Sequence, residues 1–133
     1  MQVQGRCHCG AITYSAAVDP ASVQICHCSD CQMLSGAAYR VSVKAPAETF
    51  RLLTGTPKRY IKTAESGNRR AHSFCAECGT PVHSSAIENP VAYTLRVGCL
   101  DRRADLLPRK RIWARSSVPW SLDIAQVPQL ERQ

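Results

Sequence analysis

Residues 26 to 31 read CHCSDC, which crowds Cys26, Cys28 and Cys31 into six positions. Three thiols are one donor short of a closed tetrahedral metal site. The fourth donor comes from elsewhere in the chain, or the position is left open for something to react there. Two further clusters bear on that choice: Cys7 and Cys9 in RCHCG, and Cys75 and Cys78 in FCAECGT. Cys99, in RVGCLD, stands alone.

The Cys75/Cys78 pair is the strongest local signal. Two cysteines three apart and followed by Gly79 describe a knuckle whose tight turn aims both sulfurs at one ion. A C-x-x-C pair also serves redox chemistry, but the βαβ surroundings of that motif are absent here. Cys7 and Cys9 supply the remaining two donors, because residues i and i+2 of an extended segment point the same way. Together the four make a closed four-thiolate site with no room for substrate, which reads as a structural zinc.

The middle trio then has no assigned partner. Cys26 and Cys28 project in the same sense from the end of the strand VQIC, and Cys31 follows in the first turn of a short helix, where free N–H groups favour thiolate. Zinc held by three protein donors beside an open position is the pattern of catalytic sites. Cys99, His27 or His83 as fourth ligand would close the site instead. Against these, Cys99 ends an apolar strand, where a free cysteine packs as a small hydrophobe. His27 lies between two cysteines and points away from their sulfurs, and His83 sits on a polar strand position. Four-cysteine sets also hold iron–sulfur clusters, but C-x-C-x-x-C is not a usual ferredoxin spacing.

The elements that must position these residues are short and strand-rich. AITYSAAV (residues 11–18) puts Ile12, Tyr14, Ala16 and Val18 on one face, and YRVSVK (residues 39–44) does so with Tyr39, Val41 and Val43. Further strands are expected over residues 49–53, 58–63, 69–74 and 91–97, with a hairpin turn at AESGN, residues 64–68. One helical turn is expected over residues 30–34, capped by Ser29 and stopped by Gly36. The chain reads as all-β, one zinc-binding domain over residues 1–133.

Composition narrows the setting. No run of about 18 apolar residues occurs, so no membrane span is expected. The N-terminal stretch has no apolar core of a secretory signal, which leads us to expect a cytoplasmic protein. Eight cysteines in a reducing compartment argue for metal rather than a disulfide framework. The formal net charge is +7; seven thiolates around two Zn²⁺ ions would lower it by three.

Taken in order, GRCHCGAITY, CHCSDCQMLSG, FCAECGTPV, GCLD, RIWARSSVPW and VPQL resemble the glutathione-dependent formaldehyde-activating enzyme family, which includes the centromere protein V domain. The resemblance runs from about Val3 to Leu130. It implies an Mss4-like fold of small antiparallel sheets and a structural zinc on Cys7, Cys9, Cys75 and Cys78. It also implies a catalytic zinc on Cys26, Cys28 and Cys31. The implied activity is that of a carbon–sulfur lyase, adding glutathione to formaldehyde to form S-(hydroxymethyl)glutathione. The partners would be a small thiol and an aldehyde. The family position held here by Cys99 is usually a small hydroxyl residue, a departure that fits a packing role.

Basic residues that could attract glutathione's carboxylates include Arg6, Lys58, Arg59, Arg69 and Arg70 by composition alone. A rival reading is a zinc-stabilised module that binds nucleic acid, protein or a thiol without turnover. Nucleic acid is disfavoured: there is no Lys/Arg tail, and only 6% of residues are aromatic and able to stack on bases.

Overall fold

The computed structural model describes residues 1–64 and 66–133. Ten strands and one α-helix are found among them: β1 (Gln2–Arg6), β2 (Thr13–Ala17), β3 (Gln24–Cys26), α1 (Ser29–Ser35), β4 (Arg40–Pro46), β5 (Arg51–Thr54), β6 (Lys58–Thr63), β7 (Arg69–Phe74), β8 (Pro81–Ala86), β9 (Ala92–Arg96) and β10 (Lys110–Ile112). The strands form a three-stranded sheet, β1-β2-β5, and a seven-stranded sheet, β10-β3-β4-β9-β8-β7-β6. Among the described residues, the β10–β3 pair is parallel and the other strand pairs are antiparallel. The mostly β, Mss4-like expectation therefore holds. Among the described residues, no helix is long and apolar enough to cross a membrane.

Alternation decides what each strand buries. Ile12, Tyr14, Ala16 and Val18 are all buried, with Val3 opposite Ala16 across the β1–β2 pair. From the larger sheet, Val43, Ala45 and Leu95 meet this set in one core, which also takes in Cys7 and Cys75. Phe50 stacks between Tyr14 and Tyr93, with ring centroids 5.4 and 4.4 Å away. Apolar burial of this kind stabilises by about 25 cal/mol per Å².

The opposite face of the large sheet is polar. Register places Cys26 beside Arg40, Ser42 beside Arg96, and Ser84 beside both Thr94 and His72. Because side chains alternate along a strand, these residues share one face. The helix α1 packs beside β4.

Two local expectations are adjusted. The cap of α1 is Cys28 rather than Ser29: the Cys31 N–H donates to the Cys28 sulfur at 3.3 Å, so a sulfur does the work usually done by a hydroxyl. Gly36 ends the helix at φ 63°, in the left-handed region. The turn expected over residues 64–68 joins β6 to β7; the Ala64 N–H donates to the Asn68 carbonyl at 2.8 Å, while Glu65 lies outside the described residues.

Gly5 has a steric role. It sits opposite Tyr14, and a Cβ there would come within 2.1 Å of the tyrosine ring. Tyr14 is fully buried, so the ring has nowhere to retreat. Gly5→Ala is expected to destabilise the protein by about 1–3 kcal/mol, as overpacking does. Urea unfolding would measure this, and an unchanged midpoint would refute the close packing.

Candidate metal centres

The first cluster is made by two loops, one from each sheet. After β1, the Gly10 N–H donates to the Cys7 carbonyl at 3.1 Å, with Gly10 at φ 83°, so the chain doubles back and brings Cys7 and Cys9 to one side. After β7, the Gly79 N–H donates to the Cys75 carbonyl at 2.8 Å, and φ 75° at Gly79 makes the same kind of turn. The His8 N–H donates to the Thr80 hydroxyl at 3.0 Å, stitching the loops together. The sulfurs of Cys7, Cys9, Cys75 and Cys78 all lie within 4.8 Å of one another.

Sulfur spacing tests whether zinc fits. Zinc–thiolate bonds of about 2.3 Å in a tetrahedron put neighbouring sulfurs about 3.8 Å apart. Cys7 and Cys9 are separated by 3.6 Å, and Cys9 and Cys75 by 3.8 Å. Sulfurs this close surround a single ion, whereas thiolates on a multi-iron cluster stand further apart. An all-thiolate tetrahedral donor set suits zinc.

The thiols also compete for charge. The Thr80 hydroxyl, 3.1 Å away, leads the interactions that pull Cys78 down to about 5. Cys9 is drawn down by the Ala11 N–H, but Cys7 and its other sulfur neighbours push it up to about 12. Burial raises Cys7, yet the Ile12 N–H and the neighbouring thiols outweigh it, and its pKa falls. Ionising all four together requires a cation among them.

The second cluster follows β3. That strand is clamped between β4 and β10, and the His27 N–H extends the ladder to the Ile112 carbonyl at 3.1 Å. Cys26 ends the strand, Cys28 caps α1, and Cys31 lies in its first turn. The sulfurs of Cys26 and Cys28 are 3.5 Å apart, and all three lie within 4.8 Å of one another. The spacing again suits zinc. Cys26 is pulled down to about 5, first by the Cys31 thiol and against burial; Cys31 is driven up by the same contact and by burial.

Among the described residues, no fourth cysteine, histidine or carboxylate joins the trio. Cys99 donates to the Pro81 carbonyl at 3.2 Å. The ring of His83 stands edge-on to Phe50 and Tyr93, in the core-side aromatic group. His27 is fully buried edge-on to Tyr39, with neither ring nitrogen hydrogen-bonded.

The cluster borders the polar face of the sheet. Two adjoining hollows of about 340 and 290 Å³ share Leu34, Arg40, Pro81 and Arg96. Leu34 is three residues beyond Cys31, on the same side of α1. A cleft of about 550 Å³ reaches Cys28 and is walled by Lys62, Trp113 and Arg115. Gln32 fastens the far wall by donating to the carbonyls of His27 and Ser116, at 2.8 and 3.0 Å. Lys62 pairs with Asp30 at 2.6 Å, linking β6 to the start of α1.

Electrostatically this face is cationic. Burial, then repulsion from Arg40, lowers Arg96 to about 9, so it keeps its charge at neutral pH. Burial and the surrounding cations hold His72 down to about 4. Neutral His72 accepts from Arg96 through Nδ1 at 3.3 Å.

Sequence reasoning brought forward other cations. Arg6 braces the first loop by donating to the carbonyls of Cys7 and His8, and Arg59 donates to the Ile87 carbonyl on the core side. Arg40 and Arg96 were missed, each hidden as the alternate residue of an apolar strand. Their signal was a charge at the sheet-face parity of Cys26.

Two comparisons place this architecture. A crystal structure of a Rhodobacter sphaeroides protein is similar at a TM-score of 0.62 and 24% identity, covering 81% of this chain and 98% of that one. That likeness shows the fold. The family model for glutathione-dependent formaldehyde-activating enzymes matches residues 2–116, the span that carries both cysteine clusters and the cationic face. The chain therefore belongs to the glutathione-dependent formaldehyde-activating enzyme family.

Proposed function

We propose that the protein is a zinc-dependent carbon–sulfur lyase that adds a thiol such as glutathione to formaldehyde or a related small carbonyl. The observation that carries this reading is the three-sulfur cluster of Cys26, Cys28 and Cys31, which has no fourth protein donor among the described residues and borders, at Cys28, a cleft walled by Lys62 and Arg115. In this reading Cys7, Cys9, Cys75 and Cys78 hold a structural zinc, and the trio holds a reactive one. A zinc on three thiolates supplies Lewis acidity at one exchangeable position, which favours the thiolate form of an incoming thiol at neutral pH.

The chain's own residues do the rest. Cys26 and Cys28 are held by the strand ladder and the helix cap, so the trio keeps its geometry without rearranging. As sulfur attacks carbon, the S–C bond forms and the C=O π bond breaks, leaving negative charge on oxygen. The guanidinium of Arg115, which walls the cleft at Cys28, favours that charge. The proton lost by the thiol is matched by one gained at the alkoxide, giving a hydroxymethyl thioether. The cleft walls of Trp113 and Lys62 hold both reactants near one another, which supplies much of the advantage over the reaction in water.

Metal analysis of the untagged protein is expected to give two zinc ions per chain. Since thiols add to formaldehyde unaided, catalysis is read as faster exchange between glutathione and its hydroxymethyl adduct, by NMR, with the zinc-loaded protein. Cys28→Ser should lose one zinc and that acceleration while melting within a few degrees of the parent. Cys78→Ser should lose the other zinc and melt far lower, because metal binding at a structural site contributes to folding. Equal loss of fold in both variants would overturn the division of labour. Tight thiol binding with no acceleration would make this a thiol-binding module.

A further inference from the structure

Arg96 is only 6% exposed, yet no carboxylate among the described residues pairs with it or with Arg40; the ion pairs found there are Lys62–Asp30 and Arg102–Asp105. The Nε atoms of both arginines are buried without a hydrogen-bond partner. Such groups are costly to bury unless something meets them. Register explains how they come together: Arg96 lies opposite Ser42, and Arg40 is two residues before Ser42, so the two are diagonal neighbours on one face. Arg96 is oriented by the Thr94 carbonyl and by His72 Nδ1, at 3.2 and 3.3 Å. These contacts use its terminal nitrogens in part and leave the Nε edge free.

The trio of thiols does not supply enough negative charge to match this pair. Three thiolates around one zinc leave a single net negative charge, which balances one guanidinium. Among the described residues the second has no counter-charge, and Arg70 adds another positive charge on the same face. Both arginines also line the two adjoining hollows, whose other walls include the apolar Leu34, Phe74 and Pro81. Apolar walls strengthen the pull of a fixed cation on an anion, and a guanidinium edge matches a planar carboxylate.

The geometry points to a carboxylate-binding subsite formed by Arg40 and Arg96, so that one substrate of the neighbouring centre carries a carboxylate. This rests on the reading of Cys26, Cys28 and Cys31 as the reactive centre, and it narrows the substrate class from any small thiol and carbonyl. The carboxylate can belong to the thiol or to the carbonyl compound.

Calorimetry on the zinc-loaded protein separates the two, using S-methylglutathione, its dimethyl ester, and glyoxylate as the smallest aldehyde with a carboxylate. S-methylglutathione has no free thiol, so its binding is read apart from turnover. If the thiol carries the carboxylate, the acid should bind at least about tenfold more tightly than the ester. Arg40→Gln and Arg96→Lys should each weaken the acid about tenfold and leave the ester unchanged. If the carbonyl carries it, glyoxylate binding should show that arginine dependence and the two glutathione forms should bind alike. Either pattern supports the subsite. Acid and ester binding alike with glyoxylate indifferent to both substitutions, or no binding of any probe, overturns it. Should Arg96→Lys fail to fold, Arg40→Gln decides, since Arg40 is half-buried and, among the described residues, bonded to no side chain. Arginine-dependent binding without glutathione–formaldehyde turnover would sink the proposed reaction and leave the subsite standing; turnover without arginine dependence would do the reverse.

Discussion

Four sulfurs held within 4.8 Å of one another cannot all be thiolates unless a cation lies among them. Their opposed shifts express that conflict: Cys78 is pulled down to about 5 while Cys9 is pushed up to about 12. The conflict has an architectural consequence, because the four come from two loops in different sheets. Cys7 and Cys75 are also members of the hydrophobic core. Whatever relieves the repulsion between these sulfurs therefore ties the sheets together where their cores meet. Two glycine turns at positive φ make the approach possible, since a side chain at Gly10 or Gly79 would be strained there.

The large sheet divides its labour by face. One face carries Val43, Ala45 and Leu95 into the core, and the other carries Arg40, Ser42, Thr94, Arg96 and His72 toward α1 and the second cluster. Strand parity does this without any special motif: each apolar residue that anchors a strand sets a polar neighbour on the far side. Placing Cys26 at the end of β3 then fixes the trio on the polar face, next to Arg40. The core and the site are two consequences of one alternation.

Much of this was legible in the residues. Alternation in residues 11–18 named the four positions that are buried in and around β2, and the bounds expected for β6 and β7 are those found. The pairing of Cys7 and Cys9 with Cys75 and Cys78 followed from donor counting and from the direction of side chains on extended segments. What stayed hidden depends on strand order. Arg40 and Arg96 are 56 positions apart, and nothing local tells that β4 and β9 are neighbours. Trp113 and Arg115 reach Cys28 only because β10 pairs parallel with β3, a contact across most of the chain that its three residues do not advertise. The helix cap was displaced by one residue because a cysteine sulfur filled a role that propensity assigns to serine.

The two clusters differ less in their sulfurs than in what surrounds them. Around the first, the sulfurs themselves are met by neutral groups, the Ile12 N–H and the Thr80 hydroxyl, while the Arg6 guanidinium is taken up by the carbonyls of Cys7 and His8. A dication with four thiolates there retains two negative charges facing partly toward solvent, since Cys9 and Cys78 are exposed. Such a centre would repel anions and offer no free coordination position. Around the second, a dication with three thiolates retains one negative charge, and Arg40 stands against it. That neighbourhood is close to neutral, and Arg96 tips it toward positive. In the proposed reading an incoming thiolate or carboxylate would meet repulsion at one centre and attraction at the other, although both are built from the same side chain. Difference of reactivity between the two would then originate in the guanidiniums placed by the sheet, with the missing fourth sulfur providing the room.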